Sequence, residues 1–472
     1  MLNHLINPPP RVAILGTYIA LYDTAYPGYR DRVGAFVDRI VEVLKPDISV
    51  ESIGLCTDEA SAREFIAQAE KNEVDAVILL SLGYTNSLTV VGPIAETELP
   101  ILFFNTQEIE TVEKNFSDED LLRNHGMQGV QDLAAVLVRR GKRFGIVTGL
   151  IEQSDTRESL IDHLIATRAH RALRGTRVAS MGPPMPGMGD AQFDRARFQE
   201  VFGVESVEID PSLLAQKRAE VSEADLLASM ELDEKHFEID PGVGEEDHRR
   251  SSRLELGLRR LVEEEQFAGL TLSFDTISQT KGIETIPFFG ITKLMGEGMS
   301  YGGEGDLFVT AAGPIAGRLC QEMCFTEIYT MDFKNNAVLN SHMAECNWRF
   351  ARKDRKPKLV SRQFSLASSP PFLMAHFALE PGPVTLFDLA IDSEGGFRFI
   401  LFECEVDDWP ASEKLDRPNF KLKFKRDLRE VMDEYSLLGG GHHLNLVYGS
   451  HSRRFEILAD HCGVLCTRIA NA

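Results

Sequence analysis

Side chains that could bind a divalent metal are concentrated in the last part of the sequence. Glu304 lies in the glycine-rich stretch SYGGEGDLF, and Glu327 lies in CFTEIYTMDF. His342 lies in LNSHMAE, and the adjacent pair His442 and His443 follows three glycines in GGGHHLNL. Carboxylate oxygens and imidazole nitrogens without thiolates suit Mn²⁺, Co²⁺, Mg²⁺ or Zn²⁺ rather than a soft metal. The residue types therefore indicate a metal site with mixed oxygen and nitrogen ligands.

Spacing alone does not establish that these side chains converge, because they form no compact motif such as HExxH. Taken singly, each has an ordinary structural explanation. A glutamate in a glycine-rich loop often faces solvent, Glu327 could belong to an ion pair, and a histidine in a strand is usually a satisfied core or surface residue. Adjacent strand residues face opposite ways, so we expect at most one of His442 and His443 to point into a site.

Composition and charge restrict the class of protein. The chain has 472 residues, enough for two or three domains, and its formal net charge of −22 disfavours nucleic acid and anionic membranes as partners. The seven cysteines include no CxxC pair, so we expect reduced thiols rather than a zinc knuckle or a disulfide framework. The start of the chain, MLNHLINPPPR, lacks the apolar segment of a signal peptide, which predicts a cytoplasmic protein.

Strand and helix patterns alternate in the first part of the chain. The apolar run RVAILG predicts a buried strand, and apolar residues spaced three and four apart between Val33 and Leu44 predict an amphipathic helix that ends before Pro46. The alternation continues through ISVESIG, SAREFIAQAEKNEV, DAVILLSL, ILFFNTQ and RFGIVTG, which indicates a parallel sheet covered on both faces. Sheets of this kind bind ligands at the carboxyl ends of their strands, but no GxGxxG supports a dinucleotide site.

A second alternating series follows a helix that is predicted to end at Gly175. It contains the strand patterns TRVASMG, VESVEID, FAGLTLSFD and IPFFG and a long acidic helical stretch to about residue 265. Beyond about residue 330, short runs separated by turns predict antiparallel β structure, with SEGG as a hairpin tip; they include KLVSRQFS, FLMAHFAL, GPVTLFDLAID, GFRFILFECEV and HLNLVYGS. The sequence thus predicts two doubly wound α/β domains, residues 1–174 and 175–325, followed by an antiparallel β-barrel-like C-terminal domain, residues 326–472.

The motifs YGGEGD, EIYTMDF, LNSHMAE and LLGGGHHL, in this order and at these separations, resemble the L-arabinose isomerase family of the wider L-fucose/L-arabinose isomerase group. LTLSFDTI and GPVTLFDLAID match as well, whereas the first domain is less similar. The resemblance implies two α/β domains and a β-barrel, assembled as hexamers with sites between subunits. It also implies a Mn²⁺ centre, with Co²⁺ or Mg²⁺ as alternatives, whose ligands are Glu304, Glu327, His342 and His443.

The implied reaction converts an aldose into a ketose by moving one hydrogen from C2 to C1. A divalent cation across O1 and O2 polarises the carbonyl and stabilises the enediolate. Two carboxylates beside the metal, Glu304 and Glu327, can pass the proton, one as base and one as acid. The glycines around Glu304 would then allow backbone and carboxylate to come close to metal and sugar.

The residues that would contact the sugar depart from the family pattern. The Gln-His-Leu-Tyr run of the family is replaced by the segment 17–22, and another pair of sugar-binding polar residues is replaced by the segment 124–127. A pocket built to hydrogen-bond particular hydroxyls discriminates strongly between sugars, so we expect a substrate other than L-arabinose. The residues expected to contact the substrate are Tyr18, Asn124, Met127, Met185, Phe274 and His442.

Two alternatives remain open. The same metal centre could serve an epimerase or another enediolate enzyme acting on a sugar acid, whose carboxylate the basic run RFARKDRKPK would bind, although a solvated loop is the simpler interpretation of that run. The chain could also be a catalytically silent sugar-binding protein on an isomerase scaffold. A silent relative would be expected to lose a metal ligand, and all four are present.

Overall fold

The computed structural model describes residues 1–363, 369–470 and 472. These residues form two compact units, one of residues 8–171 and one of residues 1–7 together with residues 172–472. The predicted strand KLVSRQFS reaches Phe364 and Ser365, which lie outside the described residues. Among the described residues, no helix is long and apolar enough to cross a membrane. The predicted domain boundaries near residues 174 and 325 stay predictions.

The unit of residues 8–171 is an α/β structure around one parallel sheet. Its elements are β1 (Arg11–Thr17), α1 (Leu21–Ala25), α2 (Tyr29–Leu44), β2 (Ser49–Cys56), α3 (Glu59–Lys71), β3 (Ala76–Ser81), α4 (Val91–Glu96), β4 (Ile101–Asn105), α5 (Asp118–Arg123), α6 (Met127–Arg139), β5 (Gly145–Thr148) and α7 (Ser154–Leu173). The strand order is β2-β1-β3-β4-β5. β3 and β4 are buried along their whole length, as expected for parallel strands covered on both faces.

The periodic pattern of the first long helix correctly predicts its buried face. Helix α2 spans Tyr29–Leu44 and ends just before Pro46. The apolar residues at helical spacing pack into the core, because positions three and four apart lie on one side of a helix. These buried residues are Tyr29, Val33, Phe36, Val37, Ile40 and Leu44.

The second unit begins with another parallel α/β arrangement. Its elements are β6 (Arg177–Met181), α8 (Arg195–Phe202), β7 (Glu205–Glu208), α9 (Ser212–Ala219), α10 (Glu223–His236), β8 (Glu238–Ile239), α11 (Glu245–Glu265), β9 (Phe267–Leu272), α12 (Phe274–Gln279), α13 (Phe288–Met295), β10 (Ser300–Gly302) and α14 (Leu307–Cys320). Strands β10-β9-β6-β7 form a parallel sheet in this order. Together with the first unit, this confirms the parallel α/β prediction.

Two details of this region differ from the sequence prediction. IPFFG is not a strand; Phe288 begins helix α13, whose residues are buried nearly all round. A short apolar run buried on every side has no period that separates a helix from a strand. The long acidic stretch is also not one helix, because it contains α9, α10 and α11 with the two-residue strand β8 between the last two.

The rest of the chain is mainly antiparallel. Its elements are β11 (Cys324–Asp332), β12 (Ala337–Ser341), β13 (Lys358–Arg362), β14 (Phe372–His376), β15 (Gly382–Ile391), β16 (Phe397–Val406), β17 (Asn419–Lys423), α15 (Leu428–Leu437), β18 (His443–Tyr448), α16 (Ser452–Cys462) and β19 (Leu465–Ile469). Six strands close into a barrel in the order β15-β18-β11-β12-β17-β16, because β16 also pairs with β15. The predicted antiparallel barrel is therefore confirmed, and the SEGG turn joins β15 to β16 as predicted.

Two of the predicted strands do not belong to the barrel. Strands β13 and β14 pair with each other and with β8 in a separate three-stranded sheet. Strand β19 pairs with β16 in parallel and is not one of the six barrel strands. Alternating apolar and polar residues identify a strand but do not say with which strand it pairs.

Candidate metal centre

Glu304 lies on a tight turn between β10 and α14 that only glycine neighbours permit. Its backbone is left-handed, with φ +58°, which is unusual for a residue with a side chain. A Cβ atom on Gly303 would lie 2.4 Å from the His342 ring, and one on Gly305 would lie 2.5 Å from the Pro183 carbonyl. The glycines therefore allow the turn to pack against the His342 ring on one side and the 183–184 backbone on the other.

The register of three neighbouring barrel strands places the other candidate ligands. In β11, Glu327 lies opposite Ser341 of β12 on one side and opposite His443 of β18 on the other. Directly opposed residues of an antiparallel pair project from the same face, so Glu327 and His443 present their side chains together. His342 follows Ser341 where β12 ends. Strand pairing thus brings together residues that are far apart in the sequence.

The candidate ligand atoms fall into two overlapping groups. One ligand atom from each of Glu327, His342 and His443 lies within 4.8 Å of the others, and the same holds for Glu304, His442 and His443. His443 belongs to both groups. Three of the predicted ligands, Glu327, His342 and His443, therefore lie together, and the fourth, Glu304, lies close to His443 and His442.

A buried carboxylate orients His342. Glu345 Oε2 lies 2.8 Å from His342 Nδ1 and also accepts a hydrogen bond from the Ala344 backbone N–H. The buried Tyr301 hydroxyl donates to the other oxygen, Glu345 Oε1, at 2.9 Å. Burial alone would lower the pKa of His342, but the charge and hydrogen bond of Glu345, together with the charges of Glu327 and Glu304, outweigh burial and raise that pKa. With Nδ1 engaged, Nε2 is the nitrogen left to bind a metal.

A second carboxylate does the same for His443. Asp306 is the N-cap of helix α14, and its Oδ1 accepts from the Phe308 and Val309 backbone N–H groups. Its other oxygen, Oδ2, lies 2.8 Å from His443 Nδ1. Asp306 therefore caps helix α14 with one carboxylate oxygen and orients the His443 ring with the other.

The donor set fits a divalent cation. His443 Nε2 is buried and has no hydrogen-bond partner among the described residues. A buried polar atom without a partner is costly, and it normally marks a missing ion, water or ligand. Glutamate oxygens and imidazole nitrogens with carboxylate-bound Nδ1 atoms are typical of metal sites for Mn²⁺, Co²⁺ or Mg²⁺-like ions. Glu304, Glu327, His342 and His443 are the residues that could hold such an ion.

The expectation that the adjacent histidines point in opposite directions is wrong. Strand β18 begins at His443, so His442 precedes the strand and the two-residue alternation does not apply to it. The two rings lie side by side, with centroids 3.9 Å apart. His442 Nδ1 lies 2.6 Å from Asp190 Oδ2, whereas the His443 side chain is almost fully buried.

The other two predicted substrate contacts of this unit lie in neighbouring loops. The Met185 backbone N–H donates to the Glu304 carbonyl at 2.9 Å, so this loop is attached to the Glu304 turn. Phe274 begins α12 after strand β9 and packs partly buried against the central core. Their contact with a substrate stays a prediction.

The remaining predicted substrate contacts lie in the unit of residues 8–171. The Tyr18 ring is fully buried, and its hydroxyl donates to Asp23 and accepts from Arg30. The Asn124 amide makes two hydrogen bonds with the Ile109 backbone. Met127 begins α6 and is 42% exposed. These three residues follow strands β1 and β4 at the carboxyl end of the sheet, and their role in binding also stays a prediction.

Sequence reasoning missed the residues that orient the ligands. Asp306 could have been noticed as a helix N-cap, because an aspartate before LFVTAAG is a common start signal. Glu345 is three residues after His342, but this spacing has no special meaning outside a helix. Tyr301 and Asp190 carry no local signal, because their contacts depend on loops that meet only in the folded chain.

The folded chain combines parallel α/β sheets and a closed barrel with a cluster of carboxylates and imidazoles that could hold a metal ion, which are features of an enzyme. Two family descriptions match it in sequence. Residues 177–319 match the L-arabinose isomerase central domain, and residues 322–465 match the L-arabinose isomerase C-terminal domain. The chain therefore belongs to the L-arabinose isomerase family, as a divergent member.

Relatives similar to this chain carry the same name. L-arabinose isomerase 1 of Bacillus licheniformis is 25% identical over 84% of this chain and 81% of its own length. L-arabinose isomerases of Nocardioides sp. and Geobacillus thermodenitrificans are each 26% identical, over 77% and 80% of this chain and 74% and 77% of their own lengths. Enzymes with this name are aldose–ketose isomerases.

Solved structures found by shape are much less similar. A sugar ABC transporter protein from Yersinia enterocolitica covers 68% of this chain and 82% of its own at 11% identity, with a TM-score of 0.17. A periplasmic sugar-binding protein from Legionella pneumophila covers 65% of this chain and 93% of its own at 10% identity, with a TM-score of 0.16. At these TM-scores neither likeness bears on the fold or the function.

Proposed function

We propose that this chain is a divalent-metal-dependent aldose–ketose isomerase that acts on a sugar other than L-arabinose. The observation that supports this most directly is that Glu327, His342 and His443 form one possible metal-binding group and Glu304 lies in a second group that shares His443. His443 Nε2 is buried and has no hydrogen-bond partner among the residues that the structure describes. Family membership supports the reaction class. We propose Mn²⁺ as the cofactor, with Co²⁺ or Mg²⁺ as alternatives.

The two glutamates have the chemistry for proton transfer. A divalent cation, when bound, would polarise the sugar carbonyl and make the C2 proton more acidic. One of Glu304 and Glu327 then removes the C2 proton, the C2–H electrons form a C1–C2 double bond, and the carbonyl electrons move onto O1. The other glutamate, in its acid form, protonates O1. The first glutamate then delivers a proton to C1, where the C1–C2 double-bond electrons form the new C–H bond, and the second glutamate takes the O2 proton as the O2 electrons form the C2 carbonyl of the ketose.

The proposed change of substrate rests on the segments 17–22 and 124–127. Tyr18 and Asn124 replace residues that the family resemblance assigns to sugar hydroxyls, and both side chains make hydrogen bonds within their own unit. Fewer polar groups are then left for distal hydroxyls. A site with different donors rejects sugars whose hydroxyls it cannot satisfy.

The structure offers no support for a sugar acid bound by the basic run. Residues 348–349 and 351–357 line a cavity of about 670 Å³ with His236 and Glu322, and none of the four proposed ligands is among the lining residues. Arg349 pairs with Glu322, and Arg352 and Arg355 both pair with Asp354. A solvated, internally paired surface is the simpler interpretation of this run.

We also propose, by family resemblance, that the chain forms a homo-oligomer, with a hexamer as the expected state. In that assembly the loops around Tyr18 and His125 would complete the metal centre of a neighbouring subunit. Light scattering coupled to size-exclusion chromatography measures the mass directly. A fully active monomer would contradict this part of the proposal.

The proposed function predicts stoichiometric metal binding and solvent exchange at the sugar. Purified protein loaded with Mn²⁺ is incubated in D₂O with pentoses, hexoses, deoxy sugars and sugar acids and followed by NMR. We expect deuterium at C1 or C2 of at least one sugar, because the proton removed from C2 exchanges with solvent, and little exchange with L-arabinose.

The outcomes separate the alternatives. L-arabinose reacting faster than every other compound would overturn the altered specificity and leave the reaction class intact. Metal-loaded protein that exchanges deuterium into none of the sugars would exclude isomerisation. Protein that binds no divalent metal, with no thermal shift from Mn²⁺, would favour a silent sugar-binding protein.

A further inference from the structure

An acidic residue in the loop between β6 and α8 contacts the histidine beside the proposed ligands. Asp190 Oδ2 lies 2.6 Å from His442 Nδ1 and also accepts a hydrogen bond from the His442 backbone N–H at 3.2 Å. Because Asp190 Oδ2 contacts both the backbone N–H and the ring of His442, it fixes the orientation of the ring relative to the main chain. Because Nδ1 is engaged, Nε2 is the ring nitrogen left to contact another group.

The loop that carries Asp190 is itself attached to the Glu304 turn. The Met185 N–H donates to the Glu304 carbonyl, and the loop backbone at Pro183 is so close to Gly305 that no Cβ would fit there. The segment that ends in Asp190 is therefore held by the same turn that presents Glu304. This gives His442, which precedes a barrel strand, a second attachment in the α/β part of the unit.

The position of His442 suits contact with a bound molecule. Its ring lies beside the His443 ring, and one of its ligand atoms is within 4.8 Å of those of Glu304 and His443. The His442 side chain is 37% exposed, whereas that of His443 is 2% exposed. His442 thus borders the open side of the cluster, with one ring edge held by Asp190.

We propose that Asp190 is a positioning residue that fixes His442 Nε2 as the hydrogen-bond partner of a hydroxyl on the bound sugar. This inference rests on the proposed function.

The test separates substrate binding from metal binding in Asp190→Asn. Calorimetry measures Mn²⁺ affinity on the metal-free protein and the affinity of the Mn²⁺-loaded protein for the linear polyols L-arabinitol and ribitol. Loss of a charge-assisted hydrogen bond should weaken polyol binding by about tenfold or more and raise KM similarly. We expect kcat to change by less than about threefold, with Mn²⁺ affinity and melting temperature unchanged.

Matched variants make the result specific. Asp194→Asn removes an acid from the same loop, where Asp194 caps α8 through Arg197, and should leave polyol binding unchanged. His442→Ala should weaken polyol binding as Asp190→Asn does, and the double variant should lose no more, because both changes remove one contact.

Three results would overturn the inference: unchanged polyol affinity in Asp190→Asn, Mn²⁺ affinity falling as far as polyol affinity, or the two substitutions adding independently. Polyol binding is measured without turnover, so it keeps this inference separate from the proposed function. Loss of polyol binding in Asp190→Asn, in a protein that isomerises no sugar, would support the positioning role and refute the isomerase.

Discussion

The two ring nitrogens of His443 have different environments. Nδ1 is held by Asp306, while Nε2 is buried without a partner among the described residues. Removing this ring should remove a metal ligand. Without a bound cation, the negative charges of Glu304 and Glu327 would repel each other. We predict that His443→Ala weakens Mn²⁺ binding by at least about 100-fold, measured by calorimetry on metal-free protein.

The adjacent His442 is the matched control for this prediction. It is also close enough to belong to a group with Glu304 and His443, so the geometry alone allows either histidine to bind the metal. His442→Ala should retain Mn²⁺ affinity within about threefold, because the family resemblance assigns the metal to His443, and the more exposed His442 ring borders the open side, where we propose that it contacts the sugar. The reverse result, in which His442→Ala loses the metal and His443→Ala keeps it, would exchange the two assignments.

At the scale of elements, helices α11 and α13 are joined by buried charges. Arg259 donates two hydrogen bonds to Glu297, at 2.8 and 2.5 Å, and a third to Glu255. Lys293 donates to Asp233 and Glu255. Burial alone would raise the pKa of Glu297, but the hydrogen bonds and charge of Arg259, together with the charges of the N-terminal amine and Lys293, outweigh burial and lower that pKa. The ionised pair therefore stabilises the fold.

The lowered pKa of Glu297 gives a pH-dependent prediction. An acid whose folded pKa lies below its unfolded value contributes stability above the unfolded value, near 4.5, and loses it as the pH falls through the folded pKa. Glu297→Gln should lower the free energy of unfolding of this unit by about 3 kcal/mol at pH 7, because Arg259 is left partly buried with less charge compensation. The difference should shrink below pH 4.5.

Hydrogen exchange of the α11 amides as a function of pH measures this effect. Glu200→Gln is the control, because Glu200 pairs with Arg197 on an exposed surface and should contribute less than about 0.5 kcal/mol. An effect of Glu297→Gln that stayed constant from pH 7 to pH 3 would show that packing, and not charge, is responsible.

At the scale of the whole molecule, the first seven residues belong to the unit formed by residues 172–472. Leu2 and Leu5 are buried in its central core, and Asn7 makes hydrogen bonds with the end of α14. The chain thus begins in one unit, forms the other with residues 8–171, and returns. Truncation before residue 172 would remove part of the second core.

Leu5→Ala tests this arrangement. We predict a loss of about 2 to 3 kcal/mol in the unit of residues 172–472, the low end for a buried leucine, because Leu5 lies near the edge of the core. Hydrogen exchange should report faster opening of β6, β9 and β10 and no change in β1 to β5. Leu437→Ala, at a leucine that is 88% exposed in the same unit, should have almost no effect. Equal effects on both sheets would contradict the division into units.

Local patterns in the sequence were enough to predict many of the helices and strands and the chemistry of the candidate ligands. Apolar residues at helical spacing predicted α2 and its buried face, and continuous apolar runs predicted β1, β3 and β4, because these patterns depend on neighbours a few residues away. Glutamates and histidines near glycine-rich turns indicated an oxygen–nitrogen metal site. The same local information was insufficient for IPFFG, because a segment buried on every side shows no alternation of apolar and polar residues that would distinguish a helix from a strand.

The way in which those residues meet depends on contacts between distant parts of the folded chain. The pairing of β11 with β12 and β18 places Glu327 beside His443, and the left-handed turn at Glu304 brings the remaining carboxylate to them. Which histidine nitrogen is left for a metal depends on Asp306 and Glu345, and the direction of His442 depends on Asp190. These contacts join residues that are distant in the chain. Their geometry follows from strand register and loop packing, which no short stretch of sequence specifies.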